Sequence, residues 1–152
     1  MKFKIIISIF CLSLLVLPSS CRRNGNTLKD GYYTAIEEAF DSNGWKEFVT
    51  IRVSDGKIDL VEYDAFNESG FLRSWDSDFI RSMKSTTALY PNVYTRYYSM
   101  QFLEAQGIEG VDAISGASKS YRIFMALGKA VLEQALAGEN KNAVVGIAHD
   151  ED

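Results

Sequence analysis

Cysteine is nearly absent from this chain. There are two in 152 residues, Cys11 and Cys21, both close to the start. If the leader is cut before Cys21 and Cys21 is acylated, no thiol remains for a disulfide, a thiolate metal site or cysteine catalysis. Histidine is scarcer still: His149 stands alone in an acidic tail. A Ser-His-Asp triad would have to recruit that one residue, so hydrolase chemistry is discounted, and no set of well-placed metal ligands is visible. Basic charge is short as well, with 16 Lys and Arg against 20 Asp and Glu. Residues 1–20 hold two lysines and no acids, so their removal leaves 14 basic against 20 acidic groups, a net of −6. A nucleic-acid binder needs a basic stripe, and none is present.

The one long apolar run is Ile5 to Leu17. It is too short to span a bilayer, which takes about 20 residues. Lys2 and Lys4 precede it; Pro18, Ser19, Ser20 and Cys21 follow. Basic, apolar, then small is the order of a secretory signal. Its end at a cysteine resembles a lipoprotein signal, in which the cysteine is acylated and becomes the first mature residue. Pro18 stands where an aliphatic residue is usual. The resemblance implies a membrane lipid held through Cys21 and an exported location, periplasmic or at the cell surface. The expected organisation is a signal peptide over 1–20, a lipidated tether over 21–30, one domain over 31–138 and a polar tail over 139–152. About 130 mature residues suit a single domain.

Strand signals come first along the mature chain. Gly31 to Phe40 is rich in aromatic and β-branched residues. Asp41-Ser-Asn-Gly44 reads as a turn. A calcium loop aligned on Gly44 would need ligands at Ala39 and Thr50, which are wrong for it. Lys46 to Val53 alternates, with Val49, Ile51 and Val53 on one face and Thr50 and Arg52 on the other. Ser54-Asp-Gly56 turns the chain and Ile58 to Tyr63 returns, giving a hairpin or meander. Helical patterns follow. One runs over Asp76 to Ser85, with Asp76 or Ser77 as cap and Phe79, Ile80 and Met83 on one face. A second starts at Pro91 and ends near Gln106. Val111 to Ile114 looks like a short strand. A third helix opens at Ser118 or Ser120, presents Ile123, Ala126, Leu127, Ala130, Val131 and Ala135, and stops before Gly138. The expected fold is α+β: a small antiparallel sheet covered by two or three helices. The tail after Gly138 is polar except for Ala143 to Ala148.

The densest signal lies at Asp112-Ala-Ile-Ser-Gly-Ala-Ser118. The pattern is Asp, two free positions, Ser or Thr, Gly, Ala, then Ser or Thr. It arises by chance in roughly one chain of this length in a thousand. Gly116 and Ala117 remove bulk where another molecule could approach the backbone. Ser118 brings a hydroxyl to a helix mouth, where free N–H groups and the helix dipole favour a phosphate. Lys119 adds positive charge. The plainer reading makes Ser118 a helix cap worth about 1 kcal/mol. Tyr90, Tyr94, Tyr97 and Tyr98 fall at helical spacing with Phe102 beyond. They could wall a cofactor pocket, but packing on the sheet is the better reading, as it is for Trp45 and Trp75.

On this motif the chain resembles the FMN-binding domain family, found in sodium-pumping quinone reductases, related ferredoxin-oxidising pumps and extracytoplasmic flavoproteins. The resemblance implies FMN attached through its phosphate to Ser118 by a flavin transferase. Asp112, Ser115, Gly116 and Ala117 would be the recognition residues. Ala113 stands where the family often has Gly, and Ser118 where Thr is commoner. Gly31-Tyr-Tyr-Thr34, Asp41 to Phe48, Asp55-Gly-Lys57 and Val61-Glu-Tyr-Asp64 also resemble the small membrane-immunogen lipoproteins of treponemes. Together these imply a membrane-anchored electron carrier working with partner redox proteins rather than a stand-alone enzyme. The alternative is a lipoprotein of the same fold that carries no flavin and acts in envelope structure or host interaction.

Overall fold

The structure, a computed structural model, describes residues 27–86 and 89–148. Cys11, Cys21 and His149 lie outside the described residues. Three strands form an antiparallel meander: β1 (Gly31–Glu37), β2 (Lys46–Ser54) and β3 (Lys57–Phe66). The β2–β3 connection is a two-residue turn in which Asp55 and Gly56 have φ of 52° and 72°. Positive φ at both central positions is the hairpin turn whose twist matches the strands. The Asp41–Gly44 turn is closed by Asp41, whose Oδ1 accepts the N–H groups of Asn43 and Trp45 at 2.9 Å.

The alternation read in β2 is real. Glu47, Val49, Ile51 and Val53 are buried on one face, with Thr50 and Arg52 on the other. Helices α2 (Pro91–Ala105) and α3 (Ser118–Ala137) cover that face. They supply Tyr94, Tyr98 and Phe102 from α2 and Ile123, Phe124, Leu127, Val131 and Ala135 from α3 to one core with the strands. The larger of these, such as Ile123, Phe124, Leu127 and Val131, each contribute about 1.5–3 kcal/mol on burial. Helix α1 (Ser77–Thr86) sits at the margin, with Phe79, Ile80 and Met83 half-buried. Its cap is Asp76, whose Oδ1 accepts the N–H of Phe79 at 2.9 Å.

Three features differ from expectation. Ala143–Val145 forms a fourth strand, β4, parallel to β1, so the sheet is mixed, in the order β3-β2-β1-β4. The left-handed Gly138, φ 74°, ends α3 and returns the chain to the free edge of β1. Val111 to Ile114 is not a strand; side chains of α2 and α3 satisfy its backbone instead. Trp75 is not packed: it stands 68% exposed on a single 3₁₀ turn, Arg73–Trp75.

The elements give the domain two poles. At one, the Lys29 N–H donates to the Ala135 carbonyl (2.9 Å) and its ammonium to the Ala137 carbonyl (2.6 Å). The entering chain thereby satisfies the last carbonyls of α3. Thr27 and Leu28 also line a cavity of about 650 Å³ with Gly56, Lys57 and Gln106. At the other pole lie the starts of α2 and α3, where the Asn92 side-chain amide donates to the Ser74 carbonyl at 2.9 Å.

Candidate functional site

The Asp112–Ser118 segment is a loop that rises along α2 from the short turn at Ile108–Gly110 to the first residue of α3. A spacing of three organises it. Val111 and Ala117 are buried and Ile114 is half-buried against the core. Asp112, Ser115 and Ser118 fall between them and are exposed. The apolar positions hold the loop down while the polar ones face water.

Three side chains hold its backbone. Gln101 of α2 accepts the Asp112 N–H (3.0 Å), and its amide donates to the Asp112 carbonyl (3.4 Å). The Tyr98 hydroxyl accepts the Ile114 N–H and donates to the Ala117 carbonyl, each at 3.3 Å. Tyr121, one turn into α3, donates to the Val111 carbonyl at 2.9 Å. Tyr98 and Tyr121 also meet ring to ring at 5.7 Å. The aromatic series of α2 is therefore mostly packing, as its spacing suggested. Tyr94, Tyr98 and Phe102 are buried and Tyr97 is 42% exposed. Their hydroxyls do not all reach water: burial pushes the Tyr94 and Tyr98 phenols above their ordinary range.

Gly116 has φ of +90°, a conformation that favours glycine. Ala117 occupies the cap position of α3 and offers no side-chain oxygen to it. Ser118 follows as the first helical residue, exposed, so the capping role considered for it is not the one it plays. The N–H groups of Ser118, Lys119 and Ser120 have no acceptor within the helix, because the first helical bond runs from the Tyr121 N–H to the Ala117 carbonyl (2.9 Å). A hydroxyl, three amides and the positive end of a 20-residue helix thus meet at one exposed point.

Beneath this loop lies a buried polar cluster that the sequence reading did not identify. Arg73 donates to Glu47 at 2.6 Å, with both side chains buried. Tyr63 donates to the other oxygen of Glu47 and lies 3.0 Å from the Ser120 carbonyl. Burial, and then the Glu47 charge, push the Tyr63 phenol well up, so it stays protonated as a donor. Glu37 accepts the Glu47 N–H at 2.7 Å. Its pKa is pushed up to about 7, chiefly by burial; the Glu47 N–H bond pulls it down, and the charges of Glu47 and Asp41 raise it. Asp64 accepts the N–H groups of Ala65 (2.8 Å) and Ser74 (3.2 Å) and the Ser74 hydroxyl. The signal was strand parity: Glu37 shares a face with Tyr33 and Ala35, and Glu47 with Val49 and Ile51. Arg73 comes from a connection and carried no such mark. The Tyr63–Ser120 contact ties this cluster to the first turn of α3.

Among the described residues no group of His, Cys, Asp and Glu is placed to hold a metal ion, and no helix is long and apolar enough to cross a membrane. No family model matches the sequence. A crystal structure of a Clostridium perfringens protein superposes with a TM-score of 0.74 at 32% identity, covering 80% of this chain and 99% of that one. The 15 kDa lipoprotein of Treponema pallidum (strain Nichols) is 35% identical over 136 residues, 90% of this chain and 94% of that protein. On that likeness over nearly the whole length, the chain belongs to the family of the treponemal 15 kDa lipoprotein.

Proposed function

We propose that this lipoprotein is an extracytoplasmic electron carrier, anchored through an acylated Cys21 and holding FMN by a phosphoester to Ser118. The observation that carries the reading is the setting of Ser118: an exposed hydroxyl on the first turn of α3, beside Gly116 and three amides without helical acceptors. The residues present fit a phosphate diester. Its negative charge would meet the helix dipole and Lys119, and Gly116 at φ +90° makes the turn that brings Ser118 to the helix mouth. In attachment, Ser118 Oγ would displace AMP from the FMN phosphate of FAD, with the hydroxyl proton leaving to solvent. The flavin, once bound, supplies one- and two-electron redox chemistry.

The rest of the loop serves presentation. Gln101, Tyr98 and Tyr121 fix its backbone, so Asp112 and Ser115 are offered to the transferase in one conformation. The burial of Val111 and Ala117 keeps Ser118 at the surface. Acylation at Cys21 supplies the membrane hold that no described helix provides. Multiple acyl chains anchor firmly where a single chain is marginal.

The test is co-expression with an active flavin transferase, followed by in-gel flavin fluorescence under denaturing conditions. Wild type and Ser118→Thr should fluoresce, and Ser118→Ala should be dark. Fluorescence that persists in Ser118→Ala would move the attachment elsewhere. A dark wild type beside a labelled control acceptor would favour the flavin-free lipoprotein.

A further inference from the structure

The entering chain and Ser118 lie at opposite ends of the described domain. The chain enters at Thr27 to Lys29, where Lys29 binds the carbonyls of Ala135 and Ala137 at the end of α3. Ser118 is at the start of the same 20-residue helix. At 1.5 Å per residue that is a separation of about 30 Å. From Cys21 to Thr27 there are six backbone steps. Fully extended they reach about 22 Å. The tether is therefore shorter than the helix, and it leaves from the end that does not carry the motif. The mature net charge of −6 opposes laying the domain on its side against an anionic bilayer.

The pole that carries Ser118 also carries exposed apolar side chains. Trp75 is 68% exposed and Phe71 nearly half so, with Val93 on the first turn of α2. The Asn92–Ser74 bond links the turn bearing Trp75 to α2. Leu89, just ahead of α2, lies against the open side of Gly116. Aromatic groups of this kind anchor protein–protein contacts, and a tether of about 22 Å leaving the other end is too short to let this pole face the bilayer end-on.

We propose that the domain stands on the membrane with the Ser118–Trp75 pole turned outward into water, away from the bilayer. The proposal rests on acylation at Cys21 and not on flavin attachment. The experiment uses the full lipidated chain in phosphatidylcholine–phosphatidylglycerol vesicles containing dansyl-labelled phosphatidylethanolamine. Ser118→Ala is the background, so that no flavin competes as acceptor. Energy transfer from Trp75 is read as the difference between that protein and its Trp75→Phe variant. Transfer from the anchored pole is read as the gain on adding Lys57→Trp. Both changes are at exposed positions. Severalfold greater transfer from position 57 than from Trp75 is expected. Equal or greater transfer from Trp75 would overturn the proposal and make lipid the occupant of this pole. Protein that fails to float with the vesicles would remove the anchor, and the proposal with it.

Discussion

Gly116 is a residue whose backbone, not its surroundings, fixes its identity. A Cβ added there would meet only the Leu89 side chain, at an ordinary 3.5 Å, but φ is +90°. Gly116→Ala should therefore cost about 1–2 kcal/mol, all of it conformational, measurable as a lowered denaturant midpoint with an unchanged slope. Glu37 makes a different prediction. Its pKa is raised on folding from 4.5 to about 7, so the folded state holds the proton more tightly. The associated stability is complete below pH 4.5 and is lost as pH rises through 7. The difference amounts to about 3 kcal/mol by linkage. Glu37→Gln should flatten the stability profile across that window, as followed by urea unfolding at stepped pH. Glu37 could have been read from strand parity, because it falls on the inward face of β1. The motif residues could be read by spacing. Their exposure could not, since it depends on Val111, Ile114 and Ala117 finding a core built by distant strands.

At the scale of elements, α2 is both a wall of the core and the clamp on the motif loop. Its 3.6-residue period brings Tyr94, Tyr98 and Phe102 inward and leaves Gln101 beside Asp112. Tyr98→Phe removes one hydroxyl and strands two partners, the Ile114 N–H and the Ala117 carbonyl. The expected loss is about 1–3 kcal/mol, with faster hydrogen exchange at the Ile114 amide as a local signature. Asp76→Ala should cost about 1 kcal/mol by uncapping α1, and the loss of helical signal should be confined to that helix. The meander and the three helices were legible because periodicity is a local property. Val111 to Ile114 misled because a short segment bounded by β-branched residues looks the same whether a neighbouring strand or side chains pair with it. Here Gln101, Tyr98 and Tyr121 do so, and the run stays a loop.

The described domain is polarised: the entering chain at one end, the motif at the other, with α3 as the axis between them. Strand β4 belongs to this scale. Three residues in a polar tail carry little strand signal; their pairing follows from Gly138 reversing the chain beside an unpaired edge of β1. The polarity was likewise invisible in sequence, since it depends on Lys29 meeting the end of α3, more than 100 residues away. The measurement that bears most directly on the central claim is peptide-level mass analysis of the protein purified from membranes of its native host. The account predicts an acylated N-terminal peptide beginning at Cys21 and one FMN phosphoester on the peptide containing Ser118. An acylated protein with unmodified Ser118, from cells shown to contain active flavin transferase, would contradict it.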